Sequence, residues 1–116
     1  MRVERVGSGH SVLTLTGELD LSTVPKLERP LFGELGSKAV VVLDLTGVSF
    51  IDSSGIGLLV KAFRDNREGG SGRLHTVVAA RSQVDRVFQL AGIERALPLH
   101  RTRAAALASL DGQPAD

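Results

Sequence analysis

The sequence predicts a single α/β domain built on a mixed β-sheet. Three observations lead to this class of fold. A run at residues 39–45 that is apolar except for Asp44 is typical of a central strand that is covered on both faces. Apolar residues recur at helical spacing in segments that alternate with strand-like segments. Residues 2–16 carry two strand patterns around a Gly-Ser-Gly turn, which predicts an initial hairpin and a sheet that is not all parallel.

Composition limits the classes of function. The chain of 116 residues is long enough for one core and short for two domains. A net charge of +1 and only four aromatic residues, all Phe, argue against direct binding of nucleic acid. The absence of cysteine excludes disulfides, thiol catalysis and cysteine metal sites.

Targeting signals are not evident in the sequence. The first five residues include three charged ones and lack the apolar stretch of a signal peptide, and no run has the length of a membrane span. We therefore expect a cytoplasmic protein with one domain over residues 1–110. Residues 111–116 are expected to be a disordered tail.

The first helix is expected to follow the second strand. Ser22 is its candidate N-cap, Pro25 falls in its first turn, and Gly36 marks its end. Pro30 predicts a kink or break near Arg29, because an interior proline removes one backbone hydrogen bond. The apolar positions at helical spacing are Leu27, Leu31 and Leu35.

The second helix follows the central strand. Its apolar spacing predicts one buried face, formed by Ile56, Leu59, Val60 and Phe63. Leu58 and Ala62 lie off that stripe and share a face with Ser54, so we expect them on the surface, in contact with a partner.

A further strand at residues 74–79 precedes a third helix. Ser82 is the predicted N-cap of that helix, with Asp85 in the capping-box position, and Gly92 ends it. Residues 102–110 form an Ala-rich last helix. The predicted buried face of the third helix consists of Val84, Val87, Phe88 and Ala91.

The candidate site is the junction between the central strand and the second helix. Asp52, Ser53 and Ser54 stand at this helix start, followed by Gly55 and Gly57. Their oxygens suit a helix cap, and the free N–H groups and the helix dipole also favour an added phosphate. The residues alone leave open an ordinary cap and a phosphate-accepting switch.

Enzymatic alternatives find little support. The partial dinucleotide fingerprint that begins at Gly55 has Val60 where a third glycine is required. A serine hydrolase requires a histidine near Ser53 or Ser54, yet the histidines fall in separate segments. The same scatter predicts no metal site. Three arginines near the C-terminus, Arg95, Arg101 and Arg103, are interpreted as a solvated face.

Four segments together resemble a STAS domain, and most closely a bacterial anti-sigma factor antagonist. They are Gly-Glu-Leu-Asp at residues 17–20, Val-Leu-Asp-Leu at residues 42–45, Phe-Ile-Asp-Ser-Ser-Gly-Ile-Gly at residues 50–57, and Phe-Gln-Leu-Ala-Gly-Ile at residues 88–93. The resemblance implies a mixed sheet with helices packed chiefly on one side. It implies no enzymatic activity, no cofactor and no metal.

The resemblance also implies a regulatory mechanism. The unphosphorylated protein binds an anti-sigma factor that is a serine kinase, and so releases a sigma factor. Phosphorylation of Ser53 ends binding, and a separate serine phosphatase reverses it. An accessory subunit of another assembly, such as a lipid transporter, is the alternative. The candidate partner-binding residues are Asp20, Asp52, Ser54, Gly55 and Leu58.

Overall fold

A computed structural model describes residues 2–5, 9–36, 40–69, 73–95 and 97–110. Its strands form one five-stranded sheet in chain order, β1 (Arg2–Arg5), β2 (His10–Leu19), β3 (Val40–Ile51), β4 (Arg73–Val77) and β5 (Leu99–His100). The helices are α1 (Val24–Gly36), α2 (Ser53–Gly69), α3 (Gln83–Ala91) and α4 (Arg103–Leu110), and a short 3-10 turn covers Ile93–Arg95.

The sheet is mixed, as the sequence predicts. β1 pairs with β2 in antiparallel orientation, and β2, β3, β4 and β5 are mutually parallel neighbours. Each parallel connection steps to the next strand in the same direction. Because such crossovers are right-handed, α1, α2 and α3 are all expected on one face of the sheet.

The two faces of the sheet bury cores of unequal size. On the larger side, β2 and β3 present Leu13, Val41 and Leu43 to α1, α2 and α3, and Phe88 of α3 is fully buried there. The core on the other face is smaller and is covered by α4. Its buried members are Val12, Val40, Val42, Val77, Ala106 and Leu110. The helices therefore pack chiefly on one side, which confirms the implied fold.

The first helix differs from its prediction at two residues. α1 continues through Pro30, so the predicted break near Arg29 is wrong. Proline removes only the bond to the carbonyl of Lys26, and Lys26 lies on the exposed side where solvent can satisfy that carbonyl. Ser22 does not cap α1, since its hydroxyl donates to Asp20 in the preceding turn.

The buried stripe of α2 is rotated relative to the predicted one. Leu58 is only 6% exposed and Ala62 is fully buried, whereas Val60 is 42% exposed. The predicted surface positions of Leu58 and Ala62 are therefore wrong, as is the predicted burial of Val60. The stripe begins at Gly55, which packs directly on the sheet, and it repeats at Leu58, Leu59 and Ala62.

The third helix begins and ends as predicted. Ser82 accepts a hydrogen bond from the Asp85 amide, and Gly92 ends the helix with a left-handed φ of 71°. Asp85 departs from the capping box, because its carboxylate accepts from the Arg81 amide at 2.9 Å. Of the predicted buried face, Val84 and Phe88 are buried, Val87 is half-buried and Ala91 is exposed.

Two of the C-terminal arginines form ion pairs instead of the predicted solvated face. Arg101 lies 2.8 Å from Asp85, which ties the end of β5 to the start of α3. Arg103 of α4 lies 3.0 Å from the buried Asp44 of β3. Arg95 is exposed. The predicted tail, residues 111–116, lies outside the described residues.

Candidate functional site

The site is built where β2 and β3 end side by side. Their pairing runs to Leu19 and Ile51, and the Asp52 amide then donates to the Leu19 carbonyl at 3.3 Å. Two register irregularities precede this end, and Gly17 at the second has the positive φ of 86° that favours glycine. The two following aspartates, Asp20 and Asp52, are therefore brought to the same edge of the sheet.

The Asp52 turn (residues 52–55) is a carboxylate cap on α2. Oδ1 of Asp52 accepts from the Ser54 amide at 2.9 Å, the Ser54 hydroxyl at 2.5 Å and the Gly55 amide at 3.5 Å. The two amides are free backbone donors of the first helical turn. Of the three residues whose oxygens suit a cap, Asp52 is therefore the N-cap of α2, and the Ser54 hydroxyl supports it.

The Asp20 turn (residues 20–23) repeats this arrangement one strand away. Oδ1 of Asp20 accepts from the Ser22 amide at 3.0 Å, the Ser22 hydroxyl at 2.8 Å and the Thr23 amide at 3.2 Å. In both turns the residue after the aspartate is exposed, which places Leu21 and Ser53 at equivalent outward positions. Leu21 is 78% exposed, and the sequence analysis did not single it out.

Both carboxylates are held in the charged form. The Ser54 hydroxyl, followed by the Ser54 and Gly55 amides, lowers the pKa of Asp52, although the charge of Asp20 opposes this. The Ser22 hydroxyl and the neighbouring amides likewise lower the pKa of Asp20. The edge of the sheet therefore carries two negative charges beside Ser53 at neutral pH.

The hydroxyls near this edge differ in their availability. The Ser54 hydroxyl donates to Asp52, and the Ser49 hydroxyl donates to the Gly17 carbonyl at 3.3 Å. Ser53 is exposed, and no hydrogen bond within the described part of the chain engages its hydroxyl. As the first residue of α2, Ser53 also lies at the positive end of the helix dipole.

The two glycines of this segment face opposite environments. A Cβ on Gly55 would lie 2.7 Å from Cγ1 of Ile51 and 3.0 Å from Cγ of Leu19, so only glycine lets α2 approach the strand ends this closely. Gly57 is exposed, with nothing within 4 Å of the equivalent position. The outward part of the site therefore comprises the two aspartates, Ser53 and Gly57, while Gly55 and Leu58 lie inward.

A further contact to this edge comes from α3. The Gln83 side chain donates to the Ile51 carbonyl at 3.0 Å and accepts from the Ile51 amide at 2.8 Å. Sequence analysis missed Gln83, because a glutamine after an N-cap has no distinctive pattern. Only its position next to Ser82, at the end of a parallel strand, could have suggested it.

His75 and His100 contact each other and not Ser53 or Ser54. Nδ1 of His75 lies 3.0 Å from Nε2 of His100, and the two rings stack with centroids 5.3 Å apart. Burial lowers the pKa of His100. Among the described residues, no group of three metal-ligating side chains converges, and no helix has the length and apolarity needed to cross a membrane.

Comparison with known proteins identifies the family of this chain. The STAS domain family model matches residues 3–106. The anti-sigma F factor antagonist of Lysinibacillus sphaericus is 33% identical over 95 residues, which cover 79% of each chain.

Two solved structures are also similar to this chain. An anti-sigma factor antagonist from Mycobacterium paratuberculosis is 27% identical, with a TM-score of 0.83 over 95% of this chain and 92% of that chain. The Bacillus cell fate determinant SpoIIAA in its phosphorylated form is 25% identical, with a TM-score of 0.68 over 94% and 97% of the two chains.

The chain belongs to the STAS domain family. Within that family it groups with the anti-sigma factor antagonists, to which both the curated relative and the first solved structure belong.

Proposed function

We propose that this protein is an anti-sigma factor antagonist controlled by phosphorylation of Ser53. The unphosphorylated form binds an anti-sigma factor that is also a serine kinase, and binding releases a sigma factor. The kinase transfers phosphate to Ser53 and the complex dissociates, after which a serine phosphatase restores the binding form. The protein acts in the cytoplasm as a binding regulator and catalyses no reaction itself.

One observation carries the choice of Ser53. It is the hydroxyl of the Asp52 turn that is both exposed and free of hydrogen bonds to the described residues. Ser54 is half-buried, and its hydroxyl is held by Asp52, so a kinase must break that bond to use it. The phosphorylated form of a structural relative supports regulation by phosphate in this group.

The free protein should tolerate the phosphate. Phosphoserine adds about −1.5 to −2 charges at neutral pH, and the first turn of a helix favours an anion. Ser53 is on the surface, so the modification displaces no packed side chain. The fold is therefore expected to persist, and the effect of phosphate is confined to the site.

The cost of the phosphate arises on binding. The added charge must be desolvated beside Asp52 and Asp20, which are already ionised. Like charges brought together at an interface cost several kcal/mol. A loss of ~3 kcal/mol weakens affinity about a hundredfold, which is sufficient for a switch.

A pull-down from the native cell tests this function. Tagged wild-type protein, Ser53→Ala and Ser53→Asp are compared, with Ser49→Ala as a surface control. We expect Ser53→Ala to retain an anti-sigma factor kinase and Ser53→Asp to retain less of it, because aspartate carries less charge than phosphoserine. Peptide mapping of the wild-type protein after incubation with that kinase and ATP should place phosphate on Ser53. Phosphate on Ser54 or Ser49, or capture of transporter subunits in place of an anti-sigma factor, would contradict the proposal.

A further inference from the structure

Among the described strands, none pairs with the end of β3 on its β4 side. The parallel pairing of β3 with β4 stops at Asp44 and Val77, so no β4 residue in that pairing lies beside residues 46–51. On its other side β3 continues to pair with β2 as far as Ile51. Within the described sheet, the strand end that precedes Ser53 is therefore supported by backbone pairing only on the β2 side.

At this end of β3, the buried peptide groups that have no partner in a neighbouring strand are the N–H and C=O of Ile51. In a strand, the N–H and C=O of one residue point to the same side, and successive residues alternate. The Asp52 amide points to β2, where it donates to Leu19, so both polar groups of Ile51 point to the β4 side. Ile51 is only 1% exposed, and buried groups of this kind need partners.

Gln83 supplies both partners. Its amide nitrogen donates to the Ile51 carbonyl and its amide oxygen accepts from the Ile51 amide, as the backbone of a neighbouring strand would do. We propose that Gln83 is a positioning residue for the phosphoacceptor, which holds the last peptide of β3 and thereby fixes the Asp52 turn and Ser53. This role rests on the proposed function only in treating Ser53 as the phosphoacceptor.

The start of α3 is itself firmly held, so Gln83 is a suitable support. Ser82 caps the helix through the amide of Asp85. Asp85 is buried, accepts from the Arg81 amide and pairs with Arg101 at the end of β5. The support for the Asp52 turn therefore extends from β5 through α3 to Ile51.

The Asp20 turn provides an internal control. It has the same carboxylate-to-amide geometry as the Asp52 turn, and Gln83 makes no hydrogen bond to it. The Ser22 and Ser54 amides occupy equivalent positions in the two turns. If a substitution at Gln83 alters amide protection or mobility only at Ser54 and Ile51, Gln83 positions the Asp52 turn. If it alters both turns, the substitution has loosened the fold in general.

Amide hydrogen exchange and ¹⁵N relaxation of the full chain test the proposal. Gln83→Met keeps the shape and the helix propensity and removes both hydrogen bonds. We expect about tenfold lower protection of the Ile51 amide and greater mobility at Ser53 and Ser54, with Ser22 unchanged. Gln89→Met on the same helix is the matched control, because Gln89 contacts Asp85 and not Ile51.

Gln83→Glu separates positioning from general stability. At neutral pH its carboxylate can accept from the Ile51 amide but cannot donate to the Ile51 carbonyl. A negative charge at the first residue of α3 interacts favourably with the helix dipole. We therefore expect the thermal stability of Gln83→Glu to be maintained although the Asp52 turn becomes more mobile. We expect the mobility of Ser53 in Gln83→Glu to lie between its mobility in the wild type and its mobility in Gln83→Met.

Two outcomes would overturn the proposal. One is unchanged protection of Ile51 and unchanged mobility of Ser53 in Gln83→Met, and the other is equal loosening of the Asp20 and Asp52 turns. Neither measurement uses a kinase. Failure of the proposed function, seen as absent phosphorylation of Ser53, is therefore distinguishable from failure of the positioning role.

Discussion

At the scale of residues, the candidate site depends on the contrast between two glycines. Gly55 is buried against Ile51 and Leu19, whereas Gly57 lies in open space one position beyond Ile56. Packing requires a glycine at the first position only. The second glycine weakens α2 by roughly 1 kcal/mol relative to alanine and leaves backbone accessible beside Ser53.

Alanine at each glycine should therefore have opposite effects on stability. Gly55→Ala forces Ile51 or Leu19 to shift and should destabilise the protein by about 1–3 kcal/mol. Gly57→Ala should stabilise it by up to about 1 kcal/mol, since alanine favours the helix and meets no atom. Urea unfolding of both variants measures the difference. Equal changes in the two variants would show that Gly55 is not in close contact with the sheet.

Leu58 is buried and Val60 is exposed, which is the reverse of the arrangement predicted from the sequence, and this leads to a second prediction. Leu58→Ala removes buried apolar surface and should cost about 2–5 kcal/mol of unfolding free energy. Val60→Ala is the control on the exposed face and should stay within about 0.5 kcal/mol of wild type. The comparison uses thermal or urea unfolding. Stability retained in Leu58→Ala would support the original surface assignment.

At the scale of elements, α4 is joined to the sheet by a partly buried ion pair. Arg103 contacts Asp44 through Nε at 3.1 Å and Nη2 at 3.0 Å, and Nη2 also donates to the Thr14 hydroxyl. Burial raises the pKa of Asp44, but hydrogen bonds from Thr46 and Arg103 outweigh it and lower the pKa overall. The second, smaller core thus has a polar anchor at its edge.

Removal of this anchor should loosen α4. Arg103→Met leaves the buried Asp44 carboxylate without its cation and should cost about 1–3 kcal/mol, because Thr46 still donates to it. Arg95→Met is the control at an exposed position. Hydrogen exchange of the α4 amides should increase in Arg103→Met only. The interpretation fails if both variants exchange alike.

At the scale of the whole molecule, the alternation of sequence patterns was enough to predict the sheet. The apolar run of β3 and the hairpin pattern before it identified a mixed sheet, and the order of segments resembled one family. The adjacency of Asp20 and Asp52 follows from parallel strands that end together. These features are local or depend only on strand order.

The remaining features depend on tertiary contacts. The phase of α2 is set by Gly55 pressing on Ile51, which helical spacing alone does not reveal. Pro30 is tolerated because the carbonyl it frees is on the exposed side of α1. Gln83 acts on a residue 32 positions away in the chain, and no local pattern indicates such a contact.

Acid should destabilise the fold through its carboxylates. Asp20, Asp44, Asp52 and Asp85 all have a pKa below their ordinary value of 3.8 in the folded protein. The unfolded chain therefore binds protons first, so their stabilisation is complete above that value and is lost as pH falls through the folded pKa values. Unfolding free energy measured from pH 6 to pH 2 should fall below about pH 4, and Asp44→Asn should reduce this slope. An unchanged slope would exclude Asp44 as a contributor.

Calorimetric titration of the captured anti-sigma factor tests the central claim most directly. Wild-type protein, its Ser53 phosphoprotein and Ser53→Ala are titrated under the same conditions, and circular dichroism of each form is recorded. We predict that the phosphoprotein remains folded and binds about a hundredfold more weakly, whereas Ser53→Ala binds like wild type. Equal affinity of the phosphorylated and unphosphorylated forms, or a loss of affinity accompanied by unfolding, would contradict the account.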